Sequence, residues 1–596
     1  MCGIIAYSGF RPVLQVLLAG LQRLEYRGYD SAGIAVRQAD CIKVIKRSGK
    51  IAVLSEAATG ITSTQGIGHT RWATHGEPNQ ANSHPHTDCT GRIAVVHNGI
   101  IENYHSLKTV LMQEGHVFCS QTDTEVISHL IEKFYDGNLI SAVSRALRCL
   151  EGTYGLAVMH SNSDEIVVAR RGSPMIIGIG KNEMLAASDA SALLPYTKHV
   201  VYLEDGQLAV LSPESWCLTN FDGSEVAPEV VEITWEAEQI EKGNYAHFML
   251  KEIMEQSLSV ANTLRGRVGE KIKLSLSIVP AALRRIILVA CGTSWHSALL
   301  GEQLIERIAG IPAEVDYASE FRYRKPLLEK TDLVIVISQS GETADTLAAL
   351  RESKAQGAQT LGIINVVGST ISREAGQGIF VHAGPEIGVA STKAFSCQVT
   401  ALVLFALYCR QEKGLVIESN LIAGLHLLPE KINEVFACAK QVEDIALSFT
   451  KAQSILFLAR GLQFPVALEG ALKMKEVSYI HAEGYPAGEM KHGPIALVDP
   501  DCPVVFIAMQ GPLLEKVINN IEEICARKGR ITVITDCHDI RFQSLATNII
   551  QVPAVCEELS PLMSVIPLQL LAYHVARLRG IDVDRPRNLA KSVTVE

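Results

Sequence analysis

The chain has 596 residues, 47% hydrophobic and 20% charged, which is long enough for three or four domains that each bury a core. Its formal net charge of −10 argues against a nucleic-acid partner, because binding a phosphodiester backbone requires a basic surface. The fourteen cysteines include no C-x-x-C pair. That pattern predicts reduced thiols in a cytoplasmic protein, without a disulfide framework or a thiolate zinc site.

The start of the chain predicts no targeting to a membrane. Residues 2–8 lack a positive charge, which excludes a signal peptide, and a cysteine at position 2 excludes N-myristoylation. The longest apolar run, around Val399–Tyr408, is too short to span a bilayer and predicts a buried helix. We therefore expect no membrane partner.

Cys2 is the first residue with a candidate chemical role. Removal of Met1 would leave a thiol and a free α-amine on one residue, and an α-amine with a pKa of about 7.7–8.0 can accept a proton at neutral pH. A nucleophile and its base would then sit together, as in N-terminal nucleophile hydrolases. Taken alone, a cysteine at position 2 is more often a small buried thiol at the start of a first strand.

Residues 2–225 predict a domain of short strands and glycine-rich turns, with helices near 11–24 and 123–150. The strand candidates are Ile93–His97, Tyr154–His160, Glu165–Ala169 and His199–Val210. A glutamate-rich segment without a sustained apolar run follows, and we assign a linker to residues 226–245.

Four polar clusters lie within this first domain, at Arg23–Gly33, Gly68–Gly76, His97–Asn103 and Thr122–Glu125. Together with Cys2-Gly3-Ile4 they resemble the class II glutamine amidotransferases. The resemblance implies a four-layer αββα Ntn-hydrolase fold in which Cys2 attacks the side-chain amide of L-glutamine. The α-amine would act as base and then as acid, and the products would be a glutamyl thioester and ammonia.

The same resemblance implies roles for individual side chains. Asn98 and the backbone N–H of Gly99 would form the oxyanion hole. The glutamine pocket would consist of Arg71 for the carboxylate, Asp123 for the ammonium, and Thr74 and His75. Because free ammonia is mostly ammonium at neutral pH, we also hypothesise a sheltered internal passage for it, gated by Trp72 next to Arg71.

Simpler interpretations exist for several of these residues. Asn98-Gly99 after a strand is typical of a hairpin turn, and Asp123 is a possible helix cap. Five histidines lie within 29 residues, at positions 69, 75, 84, 86 and 97. Their irregular spacing lacks a partnering carboxylate pattern, so we expect no metal and no cofactor.

From about residue 246 the pattern changes to apolar strands followed by helices, which indicates parallel sheets. The strands also repeat: Ile286–Ala290 and Ile455–Ala459 lie 169 residues apart, and two further pairs have offsets close to 170. We infer two copies of one doubly wound unit, at 246–435 and 436–580, followed by a tail at 581–596.

A hydroxyl-rich loop follows the strand within Asp332–Thr343. The hydroxyls and amides of such a loop, beside the start of a helix, predict a phosphate site without lysine or magnesium. Helix capping is the alternative. Cys291–Ser294 ends the preceding strand of the same unit, and ligands bind between adjacent strand ends in such sheets.

These segments resemble the sugar isomerase (SIS) domain, whose sheet is flavodoxin-like. The second copy has Met509–Pro512 where the first has Ser-Gln-Ser-Gly. Because those residues lack hydroxyls, we expect one sugar-phosphate site per chain.

Three further segments complete the pattern: Leu468–Glu476, Gly488–Pro494 and Asn588–Glu596. Alone, a lysine and a glutamate three apart on a helix are typical of a solvated face. In this order along the whole chain, however, the motifs resemble the bacterial type of isomerising glutamine:fructose-6-phosphate amidotransferases. That family converts D-fructose 6-phosphate and L-glutamine into D-glucosamine 6-phosphate and L-glutamate.

The resemblance implies that Lys591 forms a Schiff base with the ketose and that Glu476 moves a proton between carbons 1 and 2. His492 would assist ring opening at the site of a neighbouring subunit in a homodimer, and Lys473 would lie beside the reaction. The sugar phosphate would contact Ser338, Gln339, Ser340, Thr343, Thr293, Ser294, Val389 and Ser391.

Two rival functions are less compatible with the sequence. A phosphoribosyl-transferring amidotransferase would need a pyrophosphate loop where this chain has the serine loop. A sugar-phosphate-sensing regulator with a decayed amidase would not retain Cys2, Glu476, His492 and Lys591 together.

Overall fold

The computed structural model describes residues 2–233 and 241–594. The chain forms two compact units: Met1–Glu241 with Ala590–Glu596, and Lys242–Leu589. Residues 234–240 of the predicted linker, the last two residues of the predicted tail and Met1 lie outside the described residues.

The first unit contains two antiparallel sheets, with strands numbered in chain order. The first sheet consists of β1 (Gly3–Ser8), β2 (Ser31–Gln38), β3 (Cys41–Ser48), β4 (Gln65–Arg71), β9 (Ile176–Ile179), β10 (Met184–Ala187), β11 (His199–Tyr202) and β14 (Val231–Glu232). The second consists of β5 (His86–Thr87), β6 (Ile93–Ile101), β7 (Gly152–His160), β8 (Ile166–Arg171), β12 (Gln207–Leu211) and β13 (Trp216–Asn220). Strand β14 lies within the segment predicted as linker.

Helices cover the outer faces of both sheets. They are α1 (Val13–Leu24), α2 (Ile51–Ala57), α3 (Tyr104–Gln113), α4 (Glu125–Phe134) and α5 (Leu139–Leu147). Between the sheets, Ile4 of β1 belongs to the same buried cluster as Val96 of β6. Helices α4 and α5 pack on the other side of the second sheet. At Gly20 of α1 an added Cβ would lie 2.9 Å from Ile5, so this helix lies directly against the first sheet. The predicted four-layer αββα arrangement is confirmed.

The prediction of one strand over His199–Val210 is wrong. The segment forms two strands in different sheets, β11 and β12, because a polar turn at 203–206 interrupts the apolar pattern. Gly206 adopts φ +89° in this turn, and Gln207 Oε1 accepts a 2.8 Å hydrogen bond from the Glu204 N–H.

The second unit contains two five-stranded parallel sheets. One consists of β15 (Arg285–Ala290), β16 (Ala313–Tyr317), β17 (Asp332–Ser338), β18 (Gln359–Ile364) and β19 (Gly378–Phe380). The other consists of β20 (Ser454–Ala459), β21 (His481–Pro486), β22 (Pro503–Ile507), β23 (Arg530–Thr535) and β24 (Asn548–Gln551). The spatial orders, β16-β15-β17-β18-β19 and β21-β20-β22-β23-β24, are the same flavodoxin-like order, which confirms the duplication.

Thirteen helices accompany the sheets in the described part of this unit. They are α6 (Phe248–Met254), α7 (Gln256–Leu264), α8 (Gly292–Leu304), α9 (Ala318–Phe321), α10 (Ala344–Ala355), α11 (Thr370–Glu374), α12 (Lys393–Glu412), α13 (Ser419–Val435), α14 (Ala439–Ala446), α15 (Phe464–Ser478), α16 (Leu514–Cys525), α17 (Phe542–Leu545) and α18 (Ser560–Leu578). Nearly all residues of α12 and α18 are buried in one hydrophobic core that reaches both sheets.

Helix α18 starts earlier than the predicted span Pro567–Arg577. Pro561 lies in its first turn, where proline is tolerated, and Pro567 lies inside the helix. The segment Glu557–Leu578 is long and apolar enough to cross a membrane, but 94% of its most apolar window is buried inside the protein. It is therefore a core helix.

The topology places the predicted sugar site. Strands β16 and β17 flank β15 on opposite sides, so the connections that leave β15 and β17 diverge at one end of the sheet. This switch point, at the carboxyl ends of the strands, is where doubly wound sheets bind ligands. Both predicted loops, Cys291–Ser294 and Ser338–Thr343, follow these two strands.

Replacing Phe405 of α12 tests the shared core. Phe405 is fully buried, so Phe405→Ala should lower the free energy of unfolding by about 3–5 kcal/mol. Chemical denaturation followed by circular dichroism measures this. Leu327→Ala, at a side chain that is 87% exposed, serves as control and should change the free energy by less than about 0.5 kcal/mol. Equal effects of the two substitutions would contradict the assignment.

Candidate active sites

Cys2 lies at the start of β1, where three neighbouring segments meet its main chain and thiol. The Cys2 carbonyl oxygen accepts hydrogen bonds from Asn98 Nδ2 at 3.0 Å and from Arg27 Nε at 3.3 Å. The thiol sulfur accepts a bond from the Trp72 N–H at 3.4 Å. Burial raises the pKa of the Cys2 thiol, so a base is needed to produce the thiolate.

The side-chain amide of Asn98 is held in one orientation. His69 Nε2 lies 3.1 Å from Asn98 Oδ1 and 3.0 Å from the His97 carbonyl oxygen. Burial lowers the pKa of His69 to about 3, so its ring is neutral, and two oxygen acceptors require the proton on Nε2. The amide oxygen of Asn98 is therefore engaged, and its NH2 group faces Cys2.

Asn98 and Gly99 lie inside β6 rather than in a hairpin turn, so that alternative is wrong. Gly99 adopts φ +136°, and a Cβ at this position would lie 2.0 Å from the Thr153 carbonyl oxygen. Only glycine fits this backbone, which pairs with β7. A rigid strand thus carries both predicted oxyanion donors.

The histidines near this strand form a buried stack. The rings of His69 and His84 lie 4.0 Å apart, and His84 contacts His86 edge-on. His86 Nε2 and His97 Nδ1 are 3.0 Å from Thr122 Oγ1 and 2.9 Å from Thr124 Oγ1. Their polar atoms therefore connect the oxyanion strand with the segment before α4.

The predicted glutamine-binding residues converge. Arg71 is buried and donates hydrogen bonds to the carbonyl oxygens of His75, Gly76 and Glu77. Asp123 Oδ1 lies 4.0 Å from His75 Nδ1, which is 3.4 Å from Thr74 Oγ1. The structure therefore brings Arg71, Thr74, His75 and Asp123 into one site.

Asp123 is not the cap of α4. Thr124 occupies the N-cap position, and Asp123 Oδ2 accepts a 2.8 Å hydrogen bond from the Ile101 N–H of β6. Its carboxylate is thereby anchored to the strand that also carries Asn98. Anchored in this way, it is suited to hold a substrate ammonium.

The serine loop of the second unit forms a compact ring of hydroxyls before α10. Ser338 Oγ accepts a 3.0 Å bond from the Gly341 N–H and lies 3.1 Å from Thr343 Oγ1. Ser340 Oγ accepts from the Glu342 N–H at 3.2 Å, and Gln339 is half-buried beside it. Gly341 adopts φ +66°, and a Cβ there would lie 2.0 Å from Ser369 Oγ.

The charge of Glu342 is held on α11, where its carboxylate accepts hydrogen bonds from the N–H and hydroxyl of Thr370 at 2.8 and 2.7 Å. In the second copy, by contrast, the Gln510 N–H donates to Asp536 Oδ1 at 2.6 Å. Glu557 lies 3.9 Å from the Cβ position of Gly511 in the same loop. Glu557 is in turn paired with Arg307 Nη1 at 2.9 Å. The expectation of one phosphate site per chain therefore rests on the missing hydroxyls of the second loop and stays a prediction.

Lys473 of α15 is fully buried and forms the centre of a polar network. Its Nζ donates to Thr293 Oγ1 at 2.9 Å and pairs with Glu476 Oε2 at 2.6 Å and Glu469 Oε1 at 3.4 Å. Burial alone would lower the pKa of Lys473, but the two carboxylates raise it, so this lysine is a cation. Glu469 also pairs with His296 Nδ1 at 2.7 Å.

The sequence analysis missed Glu469 and His296. Glu469 precedes Lys473 by four residues on α15, a spacing that places both on one helix face. That signal was available, but it is shared by many solvent-exposed pairs.

The other predicted sugar contacts are hydrogen-bonded around the same strand ends. Ser294 Oγ accepts from Gln398 Nε2 at 3.0 Å, and Ser391 Oγ donates to Glu386 Oε2 at 2.8 Å. The Val389 N–H donates to the Asp584 carbonyl oxygen at 3.2 Å.

Two predicted catalytic residues belong to other segments. His492 is exposed, at the end of a short 3-10 turn Glu489–His492 of the second unit. Lys591 is half-buried and belongs to the segment Ala590–Glu596, which groups with the first compact unit. Their roles stay predictions.

Comparisons with known proteins find relatives for both compact units of the chain. A family model described as a glutamine amidotransferase domain matches residues 69–195, and one described as a SIS domain matches residues 281–408 and 448–579. The C-terminal domain of glucosamine-fructose-6-phosphate aminotransferase from Francisella tularensis covers 58% of this chain and 100% of its own. It shows 39% identity and a TM-score of 0.56.

Curated relatives match over their full length. Proteins named glutamine–fructose-6-phosphate aminotransferase [isomerizing] from Thermus thermophilus and Chlorobaculum tepidum are 50% identical over 604 residues and 51% identical over 617 residues. Each alignment covers 100% of this chain and of the relative. The chain therefore belongs to the isomerising glutamine–fructose-6-phosphate aminotransferase family.

Proposed function

We propose that this chain transfers the amide nitrogen of L-glutamine to D-fructose 6-phosphate in the cytoplasm and produces D-glucosamine 6-phosphate and L-glutamate. The observation that carries the proposal is the Lys473–Glu476 pair beside Thr293. This acid–base pair lies at the same sheet edge as the serine loop, which is suited to a phosphate. Cys2 and the oxyanion donors beside it would carry out the other half of the reaction, the release of ammonia from glutamine.

In the first half-reaction, Cys2 Sγ attacks the amide carbon of glutamine. The α-amine of Cys2, free after removal of Met1, takes the thiol proton and passes it to the departing ammonia. Asn98 Nδ2 and the Gly99 N–H donate to the oxyanion of the tetrahedral intermediate. Water then hydrolyses the thioester and releases L-glutamate, while Arg71 and Asp123 hold the two charged ends of the substrate.

In the second half-reaction, the amine of Lys591 condenses with the ketone of open-chain fructose 6-phosphate and water leaves. Ammonia then displaces Lys591 from the imine. Glu476 removes a proton from carbon 1 and returns it to carbon 2, and the proton of the carbon-1 hydroxyl moves to the nitrogen, which converts the ketose imine into an aldose amine. The Lys473 ammonium lies 2.6 Å from Glu476 Oε2 and holds that carboxylate in one position.

The remaining residues position the sugar or the subunits. The serine loop would bind the phosphate, and Thr293, Ser294, Val389 and Ser391 would line the sugar. His492 would assist ring opening in a neighbouring subunit of a homodimer, a role that suits a side chain exposed on its own chain. No cofactor is required, because the isomerisation moves a proton and changes no oxidation state overall.

Ammonia is mostly protonated at neutral pH, so its transfer should be sheltered from water. We propose an internal passage gated by Trp72. Its backbone contacts Cys2 Sγ, and it directly follows Arg71, which would bind glutamine. Trp72 is therefore suited to respond to occupancy of the glutamine pocket.

Incubation of the purified protein with glutamine and fructose 6-phosphate tests the overall proposal. Glutamate and amino sugar are measured separately, and the intact mass shows whether Met1 is removed. Equal amounts of both products are expected from a protein that begins at Cys2. Glutamate release without any amino sugar would contradict the proposed second half-reaction.

Replacing Asn98 tests the oxyanion site. Asn98→Ala should lower the rate of glutamate release by about 100- to 1000-fold, because the tetrahedral intermediate loses a preorganised donor. Gln113→Ala removes an exposed amide at the end of α3 and should leave the rate unchanged. Initial rates with saturating glutamine provide the measurement. A fall of less than about threefold in Asn98→Ala would contradict this role.

Replacing Glu476 tests the proton transfer. Glu476→Gln keeps the shape of the side chain but removes the base, so amino-sugar formation should fall by about 100- to 10,000-fold while glutamate release continues. Glu430→Gln, at an exposed glutamate of α13, is the matched control. Retention of amino-sugar formation by Glu476→Gln would assign the proton transfer to another group.

Replacing Trp72 tests the gate. Trp72→Ala should keep glutamate release while amino-sugar formation falls, because ammonia would escape before it reaches the sugar. The ratio of the two products is the measurement, and the unaltered protein provides the reference ratio. An equal loss of both activities would show that Trp72 supports the glutaminase itself and is not a gate.

A further inference from the structure

Four potential metal ligands meet in the first unit, and none of them belongs to the predicted glutamine site. Cys89 lies in the turn between β5 and β6, and His116 lies in the loop after α3. His129 and Glu132 are three residues apart on α4. The ligand atoms of all four lie within 4.8 Å of one another.

The distances between these atoms suit four ligands around one ion. Cys89 Sγ lies 3.8 Å from His116 Nδ1 and 3.5 Å from His129 Nδ1. Glu132 Oε2 lies 2.8 Å from His116 Nδ1 and 3.2 Å from His129 Nδ1. A tetrahedral zinc ion with bonds of about 2.0–2.3 Å separates its ligand atoms by about 3.3–3.8 Å. The two sulfur–nitrogen distances lie in this range, and the two oxygen–nitrogen distances are shorter, so Glu132 would move slightly away from the histidines to admit the ion.

Hydrogen bonding among the four residues explains this arrangement less well. The two imidazoles direct the same atom, Nδ1, towards the same sulfur and the same carboxylate oxygen. The Cys89 N–H already donates to that oxygen at 3.3 Å. A shared cation accounts for the convergence of four electron-pair donors on one point, whereas each ring proton can serve only one acceptor well.

The surroundings resemble those of a metal site. His129 is 1% exposed, and its second ring nitrogen, Nε2, lies 3.8 Å from Glu125 Oε1. Histidine ligands of metals usually direct this other nitrogen at a carboxylate. Here Nε2 faces Glu125 but is too far from it for a hydrogen bond. The Val117 N–H donates to Cys89 Sγ at 3.4 Å, a contact that stabilises a thiolate.

We propose that Cys89, His116, His129 and Glu132 bind one Zn²⁺ ion. A thiolate and two imidazoles favour zinc over magnesium or calcium, which prefer oxygen ligands. Binding releases the Cys89 proton to solvent, and the thiolate and carboxylate together neutralise the charge of the ion. Four protein ligands leave no open position, so the site is structural.

The proposed ion would connect three separate elements: the β5–β6 turn, the loop after α3, and α4. The start of α4 is already tied to that loop, since Glu125 accepts hydrogen bonds from the Cys119 and Ser120 N–H groups at 2.7 Å each. Asp123 lies two residues before α4. A bound zinc ion would therefore restrict the motion of the segment that carries Asp123.

Cobalt substitution in the full chain tests the proposal. The protein is freed of metal with a chelator and titrated with Co²⁺. We expect one equivalent to bind with a thiolate-to-cobalt charge-transfer band and the visible bands of a four-coordinate ion. Added Zn²⁺ should displace the cobalt and raise the melting temperature of the metal-free protein.

Variants locate the site. Cys89→Ser should abolish the charge-transfer band, and His116→Ala should weaken zinc binding by more than about tenfold, since even changes to residues that only support a metal's ligands cost that much. Cys41→Ser and His105→Ala, at exposed residues outside the cluster, are the matched controls. Circular dichroism of each metal-free variant verifies folding, and His116→Ala keeps the test valid if Cys89→Ser does not fold. Absence of the charge-transfer band in the unaltered protein, or binding unchanged in both Cys89→Ser and His116→Ala, would overturn the proposal.

Discussion

The buried ammonium of Lys473 is the interaction on which the second unit depends. An unpaired charge in a protein interior costs several kcal/mol, so Lys473 requires both Glu469 and Glu476 beside it. It also bonds Thr293, which follows a strand of the first copy of the fold, whereas α15 belongs to the second copy. The two copies thus carry different groups. The first has hydroxyls and amides at its strand ends, and the second has the charged Lys473–Glu476 pair.

In the first unit, neutral groups hold the predicted oxyanion donors in place. A histidine that stays uncharged at physiological pH fixes the amide of Asn98, and a backbone position open only to glycine follows it on the same strand. In the proposed mechanism these groups need no reorganisation when negative charge develops on the substrate, which is the main source of catalysis at oxyanion sites. In the first unit, Cys2 directly precedes β1 and Asn98 lies within β6. In the second unit, Lys473 and Glu476 lie in the last two turns of α15.

The sequence predicted the two parallel sheets because their strands are apolar runs bounded by clear turns. The site residues were inferred from polar motifs and a family resemblance, and their roles stay predictions. Prediction from the sequence failed where local patterns are ambiguous. His199–Val210 alternates well enough for one strand, although a short polar turn sends its halves to different sheets. The Glu469–Lys473 spacing is equally typical of a solvated helix face, and only burial distinguishes the two. The four residues around Cys89 are separated by 27, 13 and 3 positions, so no compact ligand motif exists and only the fold brings them together.

The core that α12 and α18 share has a consequence for the history of this protein. Each copy of the flavodoxin-like sheet relies on apolar surface that extends to the other, so a chain cut between the copies would expose that surface on both fragments. Recombination with other enzymes should therefore move the two sheets together. Either sheet expressed without the other should be prone to aggregate.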